Sequence, residues 1–105
     1  MQITRRTEIA PRTIGEEVRF DYLGDYFKAI VTRMPVGHVQ RAHSHAQVIE
    51  VTYVISGAVS LTAWRDGVAH VESLGAGDLV AFPVGEPHTM EHAGPVPAEL
   101  FTFKT

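Results

Sequence analysis

Three histidines and one glutamate stand apart from the rest of the chain by their spacing. Gly37, His43, His45, Glu50 and Gly57 follow the pattern G-x5-H-x-H-x4-E-x6-G, and Gly77, Pro83, Gly85 and His88 follow G-x5-P-x-G-x2-H. His43, His45, Glu50 and His88 form a complete set of nitrogen and oxygen donors for one first-row divalent metal. The glycines and the proline are turn residues, suited to aiming side chains from separate strands at one point. The chain has no cysteine, which excludes disulfides, thiolate zinc sites, iron–sulfur clusters and a cysteine nucleophile. Any metal must therefore be held by histidine and carboxylate. Four protein donors leave two positions of an octahedral ion open for water, oxygen or a bidentate substrate.

The elements that carry these residues must obey strand geometry. His43 and His45 are two apart and face the same side of a strand, as two ligands of one ion must. Glu50 lies five positions beyond His45, an odd offset that would place it on the opposite face of an unbroken strand. A bend at Ala46-Gln47 resolves this, with the histidines leaving on one strand and Glu50 returning on its neighbour. Gln47 belongs to that bend or supports the ligands from behind, because an amide is a weak ligand beside an available carboxylate. The segment Pro83-Val-Gly-Glu-Pro87 is too rich in proline and glycine for a central strand and reads as a loop delivering His88. By alternation Met90 and His92 share the face of His88, which points His92 into the cavity near the metal and makes it the candidate proton-transfer group. His38, in a loop, and His70, on a strand with no metal-spaced partner, are expected at the surface.

The rest of the chain alternates as strands do. Val18, Phe20 and Tyr22 alternate with Arg19 and Asp21 over Glu17–Leu23, the pattern of a half-buried strand. Further strands are expected over 26–34, 39–45, 48–56, 58–65, 68–74, 79–83, 88–92 and 99–104, with Asp66-Gly67 as a two-residue hairpin turn. Residues 1–16 read as an N-terminal arm or edge strand. Trp64, Phe82, Phe101 and Phe103 are expected in the core. For 58–65 the faces stay open, since Ser60, Thr62 and Trp64 compete with Val59, Leu61 and Ala63 for the inside. No helix is evident, so the fold class is all-β, a barrel or sandwich.

The two patterns resemble the signature motifs of the cupin superfamily, the first over 37–57 and the second over 77–92. That resemblance implies a double-stranded β-helix, the jelly-roll barrel, with 1–105 as a single domain. It also implies that His43, His45, Glu50 and His88 hold the metal. The family pattern often carries asparagine four residues after the last histidine, where this chain has His92, so the polar lining of the pocket is expected to differ from the usual one.

Composition narrows the function further. The 105 residues suit one core. Nine basic residues against twelve acidic ones give a net charge of -3, with no basic run to attract nucleic acid. No stretch approaches the ~20 apolar residues of a membrane helix, and Met1-Gln-Ile-Thr-Arg-Arg has no signal-like apolar core, so a soluble cytoplasmic protein without a membrane partner is expected. One divalent transition metal per chain is expected, iron first, with Mn, Ni, Cu, Co or Zn also compatible with these donors. The leading expectation is a mononuclear metal-dependent oxygenase, of dioxygenase type, acting on a small organic acid, diketone or aromatic substrate. Redox-neutral isomerase, cyclase or lyase chemistry is the first alternative, and a module that binds or senses a small ligand without turnover is the second. If Glu50, Thr52 and Val54 face inward, Val51, Tyr53 and Ile55 form an apolar outer row, to be covered by a second subunit or by the N-terminal strands. The resemblance to cupins, which at this size are commonly homodimers, makes a homodimer the expectation.

Overall fold

A computed structural model describes all 105 residues. The chain forms nine strands: β1 (Arg12–Ile14), β2 (Glu17–Leu23), β3 (Lys28–Met34), β4 (Glu50–Ser56), β5 (Ala58–Arg65), β6 (Val68–Gly75), β7 (Leu79–Phe82), β8 (His88–Ala93) and β9 (Ala98–Lys104). The only helical element is a single 3-10 turn, Arg6–Glu8. Residues 1–16 therefore contribute both an arm and, in β1, an edge strand paired with β2.

The strands form two antiparallel sheets that close on each other as a jelly-roll β-helix, one in the order β1-β2-β3-β9-β4-β7 and the other β6-β5-β8. Antiparallel neighbours with one buried face explain the alternation along each strand. β5 settles the ambiguity of its sequence: Val59, Leu61 and Ala63 are buried, while Ser60, Thr62 and Trp64 are not. They pack with Met34, Val54, Phe82, Met90, Ala98 and Leu100 from five strands of the two sheets into one core. The faces of β4 follow expectation, with Glu50, Thr52 and Val54 buried and Tyr53 and Ile55 exposed.

Turn chemistry sets the register. Asp66 and Gly67 both have positive φ, 53° and 76°, the conformation that joins two twisted strands by two residues, and Arg65 pairs with Val68 across it. Gly57 has φ of 78°, and a Cβ there would stand 2.7 Å from the Ala98 Cα and 2.8 Å from the Pro97 carbonyl oxygen. No side chain fits, so only glycine lets the chain pass from β4 in one sheet to β5 in the other.

Three expectations need correction. Residues 39–45 form no regular strand. The segment runs antiparallel beside β8, with Gln40 N donating to the Met90 carbonyl and His43 N and His88 N each donating to the other's carbonyl oxygen. From Gln40 to His43 it advances three residues while β8 advances two, a bulge that breaks the ladder. Of the four aromatics expected in the core, only Phe82 is there. Phe101 is exposed, and Trp64 and Phe103 are half-buried on outer faces, because β9 turns Leu100, Thr102 and Lys104 inward. His38 is not a free surface residue, since its Nε2 lies 2.8 Å from Oε2 of Glu17, which is fully buried.

Candidate metal centre

The bend expected between the histidines and the glutamate is present at Ala46-Gln47. It returns the chain into β4, so that Glu50 opens that strand on its inward face. Across the sheet Glu50 pairs with Lys104 on β9 and with Phe82 on β7. From the opposite sheet, His88 opens β8 directly after the Pro83–Pro87 loop. His43, His45, Glu50 and His88 are thereby brought together, with one potential ligand atom from each all within 4.8 Å of one another. With metal–donor bonds of about 2.1 Å, opposite ligands of an octahedron stand about 4.2 Å apart, so one ion closes this set with shifts of a few tenths of an ångström.

The donor atoms are prepared for coordination by what their other ring atoms do. His43 Nδ1–H donates to the Arg41 carbonyl at 3.0 Å, and His88 Nδ1–H donates to the Glu86 carbonyl at 2.9 Å. Each bond fixes the tautomer that leaves Nε2 with its lone pair free, the arrangement found behind metal-ligating imidazoles. Phe82 stacks flat on His88, with ring centroids 3.7 Å apart and planes 4° from parallel, and so holds the ring's plane. His88 Nε2 and His45 Nε2 each lie 3.1 Å from a different oxygen of Glu50.

Electrostatics agree with a cation site. Burial alone would push the Glu50 carboxyl up, but the facing His43 and His88 and the nearby Lys104 outweigh it and hold the group well below the usual carboxylate range. It is therefore an anion at any working pH. His43 is raised, chiefly by Glu50, although its Nε2 stands 3.8 Å from the nearer oxygen, so that contact acts through charge more than through a hydrogen bond. His45 is lowered, first by burial and then by Lys104.

The site opens onto a polar chamber inside the barrel. Its volume is about 30 Å³, and His43, Glu50, Thr32, Thr52, Thr102, Gln40, Arg19 and Lys104 line it with Ile30, Met90 and Leu100. A wider mouth of about 580 Å³ lies outside it, bounded by Arg19, Gln40, His43 and Lys104 together with Glu17, His38 and His45. Three threonines inward on adjacent strands, where an apolar core would put valine, are the sequence signal of this chamber. Thr52 and Thr102 face each other at 3.0 Å between their hydroxyl oxygens.

His92 is the one proposed site residue that the structure does not bring to this group. Alternation places it correctly on the buried face of β8. Four residues of strand, however, carry it about 13 Å from His88. Its Nδ1 accepts from Gly37 N at 3.0 Å and its Nε2–H donates to the Val96 carbonyl at 2.6 Å. Both ring nitrogens are thus committed to backbone, and His92 lines neither the chamber nor its mouth. The residues that sequence reasoning missed are Arg19, Lys104, Gln40 and Glu17. Glu17 accepts from Arg19 Nε at 2.7 Å and from Gln40 Nε2 at 3.0 Å. Glu17 and Arg19 stand two apart on β2, but Gln40 lies 23 residues from Glu17 and Lys104 is on β9, so no single spacing marks the group.

The model of the cupin domain matches residues 30–104. The chain belongs to the cupin family. No match was found among curated proteins. Among solved structures this cupin is similar to oxalate decarboxylase of Bacillus subtilis, at a TM-score of 0.85 and 21% identity, over 94% of this chain and 28% of that one. Another structure of the same enzyme concerns its Mn(II) centres. It is also similar to oxalate decarboxylase of Lactobacillus farciminis solved with formate, at a TM-score of 0.85 and 15% identity, over 93% of this chain and 31% of that one. The chain thus spans less than a third of the proteins it resembles, and at these identities the likeness is one of fold. No helix of the structure is long and apolar enough to cross a membrane.

Proposed function

We propose that this cupin binds one divalent transition metal through His43, His45, Glu50 and His88 and uses it as a mononuclear oxygenase on a small chelating substrate. The observation that carries the reading is the pair of prepared imidazoles, His43 and His88, facing a carboxylate that stays ionised. When bound, the ion would supply two open positions, which a chelate fills alone or one substrate oxygen shares with O2. The protein's part is to orient the ligands, hold the substrate in the chamber and keep bulk water at the mouth. A chamber of about 30 Å³ has room for about two waters or one carboxylate group. This favours an organic acid or a small diketone over the aromatic substrate also considered. Iron is the first choice of metal for oxygen chemistry. His92 has no part in this reading.

Elemental analysis and oxygen uptake test it together. Iron-loaded protein should take up metal near one per chain and consume oxygen with a substrate present, and His88→Ala should lose both. Equal turnover with Mn(II), Co(II) and Fe(II) and no oxygen uptake would sink the oxygenase reading in favour of redox-neutral chemistry. That second reading draws support from the decarboxylases of the same fold, which makes oxalate the first compound to assay.

We also propose a homodimer through the outer face of the six-stranded sheet. Phe20, Val31, Phe101, Tyr53 and Leu79 form one continuous row across five strands. The N-terminal arm crosses its Phe20 end, where the Arg6 guanidinium carbon sits 3.4 Å from the ring centroid, and Gln2 and Thr4 border a groove with Val31 and Phe101. Tyr53, Leu79 and Phe101 stay exposed, and a second copy of the same face would bury all three. Sedimentation at micromolar concentration should show a dimer that Tyr53→Glu disrupts, and a monomeric wild type would refute it.

A further inference from the structure

Two cations converge on the entrance to the chamber. Arg19 on β2 and Lys104 on β9, with Gln40 and His43, line both the chamber and the mouth outside it, so that a ligand bound between mouth and chamber meets both. Neither is fully exposed. The side chain of Arg19 is 18% accessible and that of Lys104 is 19%. Lys104 Nζ stands 3.7 Å from Glu50 Oε1, beside the ligand group. Arg19 gives its Nε–H to Glu17. Glu17 is in turn held by His38 and Gln40, which fixes the guanidinium and leaves its Nη groups for the collar.

Charge counting shows what the collar lacks. Arg19 is balanced by Glu17 and Lys104 by Glu50, and imidazoles that ligate a metal add no charge of their own. A divalent ion added to this set carries two positive charges with no protein counter-charge, in a chamber that sheet and core shield from water. Uncompensated charge in such a place is costly. A dianion cancels it. A guanidinium held by one edge offers the rest of its fork to a carboxylate, the geometry that arginine serves better than lysine. The chamber admits a carboxylate group but not a ring, and the mouth takes whatever is attached to it.

We infer that Arg19 and Lys104 form an anion-binding collar that selects short dianionic carboxylates, with one carboxylate at the metal beside Lys104 and the second against Arg19. This rests on the proposed metal centre and deepens it by naming the substrate class and the residues that choose it. Glu17 is a positioning residue, acting through Arg19.

The test is binding, read apart from turnover. Malonate, acetate and neutral malonamide are titrated into Co(II)-loaded protein, with calorimetry for affinity and the Co(II) visible bands for direct ligation. Malonate should bind at least about tenfold more tightly than acetate, the worth of one added charge-assisted contact, and malonamide should bind far more weakly. Arg19→Gln should erase the malonate advantage and leave acetate unchanged, Arg19→Lys should restore part of it, and Lys104→Met should weaken both anions. All three variants are titrated after saturation with cobalt, so that anion binding is compared on fully loaded protein. Malonate binding that is no tighter than acetate in the wild type, or undiminished in Arg19→Gln, would overturn the inference. If Arg19→Gln does not fold, Lys104→Met, which leaves the Glu17 cluster intact, reads the same collar, and unchanged anion affinity there overturns it. If the wild type takes up no cobalt, the metal reading has failed, and the titrations are repeated on metal-free protein. Malonate binding that depends on Arg19 would then keep the collar, and malonate binding that is absent or indifferent to Arg19 would refute it too.

Discussion

His88 and His92 lie four residues apart on β8, on the same buried face, yet they are built for opposite tasks. At one end of the strand His88 donates Nδ1–H to a carbonyl, is stacked by Phe82, and presents a bare Nε2 to Glu50. At the other end His92 spends both nitrogens on backbone, tying Gly37 to Val96. Residue type, strand, face and burial are the same. What separates the proposed ligand from the fastening is what the second ring nitrogen faces, the Glu50 carboxylate in His88 and a backbone carbonyl in His92.

The largest expected effect breaks that comparison if it fails. On the proposed metal centre, His88→Ala removes one of four donors from a set that has no spare, and metal affinity should fall by more than about a hundredfold, beyond the range seen when only a supporting group is lost. His92→Leu should leave metal content unchanged. Elemental analysis of the two variants side by side decides the matter, and loss of metal from both would mean that the His92 end shapes the site after all.

The same His92→Leu protein carries the next effect. It removes the imidazole from two part-buried hydrogen bonds, to the Gly37 N–H and the Val96 carbonyl of exposed residues that water can reach. Urea denaturation should therefore show a loss of about 1 kcal/mol. An unchanged midpoint would mean that water replaces the imidazole at both groups. In that case His92 is not the fastening described.

The acid limb of metal binding sharpens the ligand end. Metal needs neutral imidazoles. His45 is lowered and stays neutral further into acid, whereas His43 is raised, chiefly by Glu50, so that as pH falls His43 is the first to take a proton in competition with the metal. Below its raised value each pH unit should cost about tenfold in metal affinity. The loss thus begins above the ordinary imidazole range of about 6.5. Equilibrium dialysis at stepped pH measures it, and affinity that is flat between about pH 8 and 5 would contradict histidine ligation.

How far sequence goes toward this comparison differs by residue. The four site residues are legible because their spacing is a repeated constraint, with two histidines on one face, a bend and a returning carboxylate. The face of His92 is legible from alternation, but its depth is not, because period two says nothing of where along the barrel a functional site sits. Phe101 and Phe103 misled for a related reason. Thr102 and Lys104 face inward to line the chamber, so the usual rule that apolar residues mark the inside runs backwards at the open end of β9. Glu17 and Arg19 are two apart on β2, but His38 and Gln40 meet Glu17 from 21 and 23 residues away, outside any regular strand, and no spacing announces that meeting. The register from 39 to 45 was lost to a bulge that no residue type announces.

The smallest effect tests the support behind His88 rather than the ligand itself. Phe82 is in the core and lies flat on the imidazole, 3.7 Å between centroids. Phe82→Leu keeps most of the volume, so the core should lose only about 1 kcal/mol. The Nδ1 bond to the Glu86 carbonyl survives and still selects the tautomer, leaving rotation about the ring axis as the only freedom gained. Metal affinity should then drop by less than about tenfold, the low end for a supporting contact. A drop as large as that of His88→Ala would show that the stack, and not the hydrogen bond to Glu86, holds the ligand in place. The contrast between the two ends of β8 would then rest on packing as much as on which nitrogen is free.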